Sequence, residues 1–290
     1  MNKEQLLNIL LPFPKKAPLQ PKIISSDDFW DYMRQKVEFC SEEDDIIPAY
    51  VLIPKWISWK IPAVYCHHQH ASQYHLWKSE IAWIQWNKDQ ALGLELVKRG
   101  YLVLAPDAIA FEERQNFNWW HYFELAKRII KWENLLAKCI HDIHVWLNYL
   151  ESIEVVDNNK IWFIGHSYWW RMALVMPAFD DRIKVSVSNC WCVNYKDSIE
   201  KNIWIQLDFC VPHITKIWDI EDIIKLWNQS HILISGTSDD KYSTWIEFLS
   251  EKLSPYFSDK CLEVKLYEWK HIFSQQMRDY AYSFLDKYLK

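Results

Sequence analysis

Glycine is nearly missing from this 290-residue chain: there are 4, where ordinary usage of about 7% would supply roughly 20, while tryptophan occurs 19 times. Together the two counts match a normal glycine complement plus a few tryptophans. Several tryptophans also stand where glycine chemistry is expected. Trp56 and Trp59 share the turn-like run Pro-Lys-Trp-Ile-Ser-Trp-Lys, Trp132 and Trp146 interrupt a helical pattern, Trp169 and Trp170 follow a serine turn, and Trp269 lies two residues before a histidine. We read many of these as glycine positions, as would follow if a UGA codon read as glycine in the source organism were translated as tryptophan. The alternative, a tryptophan-rich binding surface, should cluster its aromatics on loops or one face rather than in turns.

Other absences narrow the chemistry. A net charge of −5 without a basic block excludes nonspecific nucleic-acid binding, which depends on neutralising phosphates. No stretch approaches the about 18 consecutive apolar residues of a membrane span, and the opening Met-Asn-Lys-Glu-Gln-Leu-Leu is too polar for a secretory signal. A cytoplasmic protein is expected, with no membrane partner. The seven cysteines are odd in number and lie mostly in apolar segments, so they read as reduced core residues. Cys190 and Cys192 have one intervening residue, not the two of a redox or zinc half-site. Neither a metal nor another cofactor is expected. Repeats, low-complexity tracts and glycine/serine linkers are also missing, so residues 46–290 are expected to form one domain, preceded by an N-terminal helical cap segment, 1–45, with a helix around Phe29 to Phe39.

What is present alternates. Ala49 to Ile53 and Ile61 to Cys66 suggest an early strand pair, and Ser79 to Arg99 reads as helix with Gly100 as its C-cap. Tyr101 to Ala105 is an apolar strand. The three-four spacing of Leu136, Ile140, Ile143, Leu147 and Leu150 predicts one long helix from about Tyr122 to Leu150. Further strands are expected at Lys160 to Ile164, Ile183 to Ser188, His231 to Ser235 and Leu262 to Tyr267, before an amphipathic helix carrying Met277, Tyr280, Phe284 and Tyr288. Strands alternating with helices predict an α/β architecture, a mainly parallel sheet with helices on both faces.

Three loops after predicted strands carry reactive side chains. Gly165-His166-Ser167-Tyr168 has the form of a strand-to-helix turn that lifts a serine hydroxyl above the sheet edge, with Trp169 in place of the second glycine of G-x-S-x-G. Gly236-Thr237-Ser238-Asp239-Asp240 supplies carboxylates, and Lys270-His271-Ile272-Phe273 supplies an imidazole. A serine hydroxyl becomes nucleophilic when a histidine takes its proton and a carboxylate fixes that histidine's tautomer.

With these motifs the chain resembles the dienelactone hydrolase-like group of α/β-hydrolase esterases over roughly residues 45 to 290. Ala105-Pro106-Asp107-Ala108 adds to the likeness. The resemblance implies an α/β-hydrolase fold with Ser167 as nucleophile, His271 as general base and acid, and Asp239 as orienting carboxylate, Asp240 being the reserve. The name-giving members carry cysteine at the elbow, so Ser167 favours a serine esterase acting on a small-molecule ester. The oxyanion hole would take its backbone N–H groups from Tyr168 and from Gln69, with His70 next. His67, His68, His70 and His75 lack a regular carboxylate partner and read as a loop shaping the site mouth. Glu112, Glu113 and Arg114 read as a structural ion cluster, and the aromatic stretch Asn116 to Phe123 as part of a cap. Two rivals share the pattern: a prolyl-oligopeptidase-type peptidase, and a non-catalytic binding protein on a hydrolase scaffold.

Overall fold

The computed structural model describes residues 3–288 except 58, 69–72, 86–89, 118, 168–170, 191, 228–229 and 258–260. Its strands are β1 (Lys22–Asp28), β2 (Tyr32–Glu42), β3 (Asp45–Pro54), β4 (Ile61–His67), β5 (Leu102–Pro106), β6 (Val156–His166), β7 (Ile183–Asn189), β8 (His231–Asp239) and β9 (Leu262–Lys270). Its helices are α1 (Lys3–Leu10), α2 (Lys78–Ile81), α3 (Leu92–Val97), α4 (Trp120–Ile130), α5 (Leu135–Ser152), α6 (Arg171–Val175), α7 (Tyr195–Glu200), α8 (Ile220–Ile224), α9 (Ile246–Leu253) and α10 (Gln275–Lys287).

All nine strands join one sheet in the order β1-β2-β3-β5-β4-β6-β7-β8-β9. The run from β5 through β4, β6, β7 and β8 to β9 is parallel, so these strands end on one edge of the sheet. The period-two alternation of side chains divides the core in two. Ala63, Tyr65, Ile161, Phe163, Ile232 and Ile234 face the layer of α5, α6, α8 and α9. Val64, Cys66, Trp162, Ile164, Val185 and Leu233 face α3 and α10. Each fully buried aliphatic side chain is worth about 1.5–3 kcal/mol relative to exposure, so the two-sided burial of the central strands fixes their register strongly.

Three expectations are corrected. The helix expected over Phe29 to Phe39 is strand β2, because Val37, Phe39 and Ser41 alternate inward at period two and pair with β3. The first 45 residues therefore contribute strands to the main sheet instead of a helical cap. β3 and β4 are not partners, since β5 lies between them and pairs antiparallel with β3. The expected long helix from Tyr122 is two helices, α4 and α5, and the break falls at Trp132.

Trp132 has φ 57° and follows α4 in a left-handed helix stop: its N–H donates to the Ile129 carbonyl and the Glu133 N–H to that of Arg128. Trp83 repeats the arrangement after α2, with φ 57°, its N–H donating to Glu80 and the Ile84 N–H to Ser79. Gly100 and Asn202, at φ 91° and 53°, complete the same pair of bonds after α3 and α7. This Schellman stop takes glycine and sometimes asparagine, because a Cβ is penalised in the left-handed region. Two tryptophans thus occupy the backbone of glycine. Trp119, at φ 75°, is a third left-handed tryptophan. Trp146 differs, being buried in the core with its ring centroid 4.9 Å from that of Tyr65. Trp56, Trp59 and Trp269 are exposed and not left-handed. Trp83→Gly and Trp132→Gly are each expected to raise unfolding free energy by about 1 kcal/mol in urea denaturation. Trp30→Gly, at an exposed position outside the left-handed region, should give no gain, and a loss at positions 83 and 132 would refute the glycine reading.

Candidate active site

Ser167 is the first residue past β6 and has φ 66°, a left-handed conformation that a β-carbon-bearing residue holds only when its surroundings impose it. The surroundings here are β6, paired in parallel on both sides by β4 and β7, and the buried α6 that follows. The turn leaves Ser167 only 7% exposed, with its Oγ–H donating to His271 Nε2 at 2.6 Å. His271 is likewise the first residue past its strand, β9, and its Nδ1–H donates to Asp240 Oδ2 at 2.9 Å. Asp240 is the first residue past β8. The parallel sheet thus brings three side chains, separated by 104 and 31 positions in the chain, to one edge in contact.

The carboxylate that meets the imidazole is Asp240, the reserve, and not the expected Asp239. β8 runs on through Asp239, whose backbone pairs with Lys270 of β9 and whose side chain is exposed. The chain turns at Asp240, and because successive side chains on an extended strand point oppositely, a one-residue difference decides which carboxyl meets the imidazole. Asp240 is held from behind. Its Oδ2 also accepts from Ser243 Oγ at 2.7 Å, and its Oδ1 accepts from the Tyr242 N–H at 3.0 Å. Gly236 permits that approach: a Cβ there would lie 2.8 Å from Ser243 Oγ and 2.9 Å from Ser243 Cβ. Ser243 was not singled out from the sequence; its position three residues after an aspartate, as in an Asx turn, was the available signal.

Beneath the imidazole lies a second histidine. His166 is buried, its ring centroid 5.4 Å from that of His271. Asn189 donates from Nδ2 to His166 Nδ1 at 2.9 Å, while Asn189 Oδ1 accepts from Ser235 Oγ at 2.7 Å. Burial, with the neighbouring His271, holds the His166 pKa well below the ordinary imidazole value, so no fixed cation competes with a proton arriving on His271. Cys190, also beside this group, donates from Sγ to the Ile272 carbonyl at 3.2 Å, bracing the loop that carries His271. Burial pushes its thiol up to about 12, which leaves it protonated and a poor nucleophile near neutrality.

The anticipated oxyanion donors Tyr168 and Gln69, together with His70, Trp169 and Trp170, lie outside the described residues. Of the neighbouring histidines, His67 accepts a hydrogen bond from the Tyr65 hydroxyl, and His68 Nε2 lies 2.5 Å from Glu80 Oε2. Glu112 and Glu113 join Asp107 around the buried Lys78 ammonium, 2.6, 2.7 and 2.7 Å away respectively. Burial and the nearby Glu112 push Asp107 up to about 7, against the pull of Lys78. Arg114 pairs separately with Asp45 and Asp142. In the aromatic stretch, Phe117, Trp119, Tyr122 and Phe123 are exposed. Among the described residues, no helix is long and apolar enough to cross a membrane. A groove of about 930 Å³ lined by Ser238, Asp239, Tyr267, Trp269 and His271 adjoins the imidazole.

No protein-family model matches the chain. It is 25% identical over 299 aligned positions to the candidate hydrolase YtaP of Bacillus subtilis (strain 168), covering 99% of this chain and 98% of that protein. Among solved structures it resembles a candidate acetyl xylan esterase from Bacteroides fragilis, with a TM-score of 0.75 and 19% identity over 92% of this chain and 73% of that one. Acetyl xylan esterase 1 from Thermoanaerobacterium sp. JW/SL YS485 gives 0.69 and 14%, over 99% and 93%. A glucuronoyl esterase from Solibacter usitatus gives 0.68 and 11%, over 98% and 91%. The chain has the α/β-hydrolase fold.

Proposed function

We propose that the chain is a serine esterase that cleaves a small-molecule carboxylic ester through an acyl-enzyme, within the dienelactone hydrolase-like group. The observation that carries this reading is the unbroken relay of 2.6 and 2.9 Å from Ser167 through His271 to the buried Asp240. Ser167 Oγ attacks the ester carbonyl as His271 Nε2 takes its proton. Asp240 keeps the Nδ1 proton in place and stabilises the imidazolium. His271 then returns the proton to the departing alcohol, and water, deprotonated by the same nitrogen, releases the acid. The tetrahedral oxyanion would be held by the backbone N–H groups of Tyr168 and Gln69.

The fold, the relay and the esterase neighbours together favour ester over amide substrates, and acetylated or esterified carbohydrates are the first natural substrates to try. The main sheet draws strands from both 1–45 and 46–290, which supports treating the two segments as one folding unit. The expected result is hydrolysis of p-nitrophenyl acetate with fluorophosphonate labelling confined to Ser167. Cleavage of an aminoacyl amide without ester cleavage would favour a peptidase instead, and a folded protein that neither labels nor turns over would favour a binding scaffold.

A further inference from the structure

Cys190 is fully buried behind the histidine–carboxylate pair. It is the first residue past β7, as Ser167, Asp240 and His271 are the first past their own strands, so the sheet edge that assembles the relay also delivers a thiol to it. Its Sγ, a carboxylate oxygen of Asp240 and a ring nitrogen of His271 all lie within 4.8 Å of one another. The nitrogen that faces the carboxylate is Nδ1, at 2.9 Å. Among the described residues one other such group comes together, Asp107, Glu112 and Glu113, and the Lys78 ammonium already neutralises it. The Cys190 group differs in offering sulfur and nitrogen as well as oxygen.

A thiol, an imidazole and a carboxylate together suit a borderline divalent cation, zinc above all, and suit magnesium or calcium poorly, since those take oxygen. Tetrahedral zinc with bonds of about 2.0–2.3 Å spaces its ligand atoms about 3.4–3.6 Å apart, so the three atoms close on it with shifts on the order of 1 Å. Outer contacts are in place. Ser243 Oγ and the Tyr242 N–H orient the Asp240 carboxylate, and Asn189 Nδ2 donates to Cys190 Sγ at 3.3 Å, contacts of the kind that aim and stabilise metal-bound side chains. His271, with its side chain 30% exposed, meets the groove of about 930 Å³, which gives a cation its way in.

We propose that Cys190, Asp240 and His271 form an inhibitory zinc site inside the relay. The cation takes the place of the Nδ1 proton between His271 and Asp240. The imidazole keeps one proton, now on Nε2, and that nitrogen then has no lone pair with which to accept the Ser167 proton. The Cys190 thiol gives its proton to water and its bond to the Ile272 carbonyl is lost; no electron is transferred. Burial alone favours the protonated thiol, but a coordinated thiol is held deprotonated by the cation itself. The inhibition rests on the serine esterase reading, whereas the coordination does not.

The test uses the full-length protein, p-nitrophenyl acetate and zinc chloride in a non-chelating buffer, with cobalt(II) as an optical stand-in for zinc. Zinc should abolish turnover of the parent, EDTA should restore it, and magnesium at the same concentration should have no effect. Cys190→Ser keeps a donor for the Ile272 carbonyl. Measured against its own zinc-free rate, it should need at least about 10- to 100-fold more zinc for half-inhibition, the loss that follows removal of even an outer partner of a metal ligand. Cobalt should give the parent a thiolate-to-metal charge-transfer band that zinc displaces and that is lost in both Cys190→Ser and His271→Ala. If the serine variant does not fold, His271→Ala carries the test, and a band undiminished there overturns the proposal. Equal half-inhibition of the parent and Cys190→Ser overturns it too. A parent that shows the band but neither labels with fluorophosphonate nor cleaves ester sinks the esterase reading and leaves the site standing. A parent that cleaves ester, is untouched by zinc and shows no band does the reverse.

Discussion

Asp240→Asn is expected to lower kcat on p-nitrophenyl acetate by about 10⁴-fold, while Asp239→Asn stays within about two-fold of the parent. The asymmetry follows from the strand end. Asp240 Oδ2 receives the His271 Nδ1 proton at 2.9 Å and is aligned by Ser243. An asparagine there can present an amide N–H instead of an acceptor, reverse the imidazole tautomer and remove the lone pair that Nε2 needs to deprotonate Ser167. The Asp239 side chain is exposed and makes none of these contacts. Steady-state kinetics at fixed pH separate the two, and equal losses in both variants would show that the carboxylate assignment is wrong.

Ser167→Ala is expected to cost more, about 10⁶-fold in kcat, with substrate binding largely retained. In the proposed mechanism the alanine removes the atom that forms the acyl bond, and the remaining rate would come from whatever the oxyanion donors and the neutral imidazole offer to water. A second consequence is structural. Ser167 sits at φ 66°, and alanine keeps the same β-carbon there, so Ser167→Ala should fold as well as the parent, and Ser167→Gly should fold better because glycine meets no left-handed penalty. Retention of ester cleavage in the alanine variant would remove Ser167 from the mechanism.

Much of this arrangement was legible in the sequence. Apolar strands followed by Ser167, by the carboxylate pair at 239 and 240, and by His271 give the order of the site, and their alternation with helices gives the parallel sheet. Elsewhere the local signal was weaker than its tertiary context. Val37, Phe39 and Ser41 alternate, but with mixed polar neighbours the period is weak until β3 pairs alongside. The interruption between α4 and α5 was hidden because tryptophan, not glycine, marks the stop at position 132. The insertion of β5 between β3 and β4 is a matter of long-range pairing that local sequence does not encode. Asp239 and Asp240 could not be separated because strand ends are uncertain by more than the single residue that reverses a side chain. The His68–Glu80 contact joins two short segments across a loop, and neither partner stands out alone.

The residues of the relay are spread unequally in their mechanical security. β6 is covered on both faces and paired on both sides, whereas β9, which delivers His271, closes the sheet at its rim with all of its residues partly or fully exposed. Rims open at lower free energy than centres. Opening of β9 from β8 would carry the imidazole away from Ser167 and Asp240, which follow the inner strands β6 and β8. In the esterase reading the relay is therefore expected to be lost first at His271, with the amide hydrogens of β9 exchanging faster than those of β6.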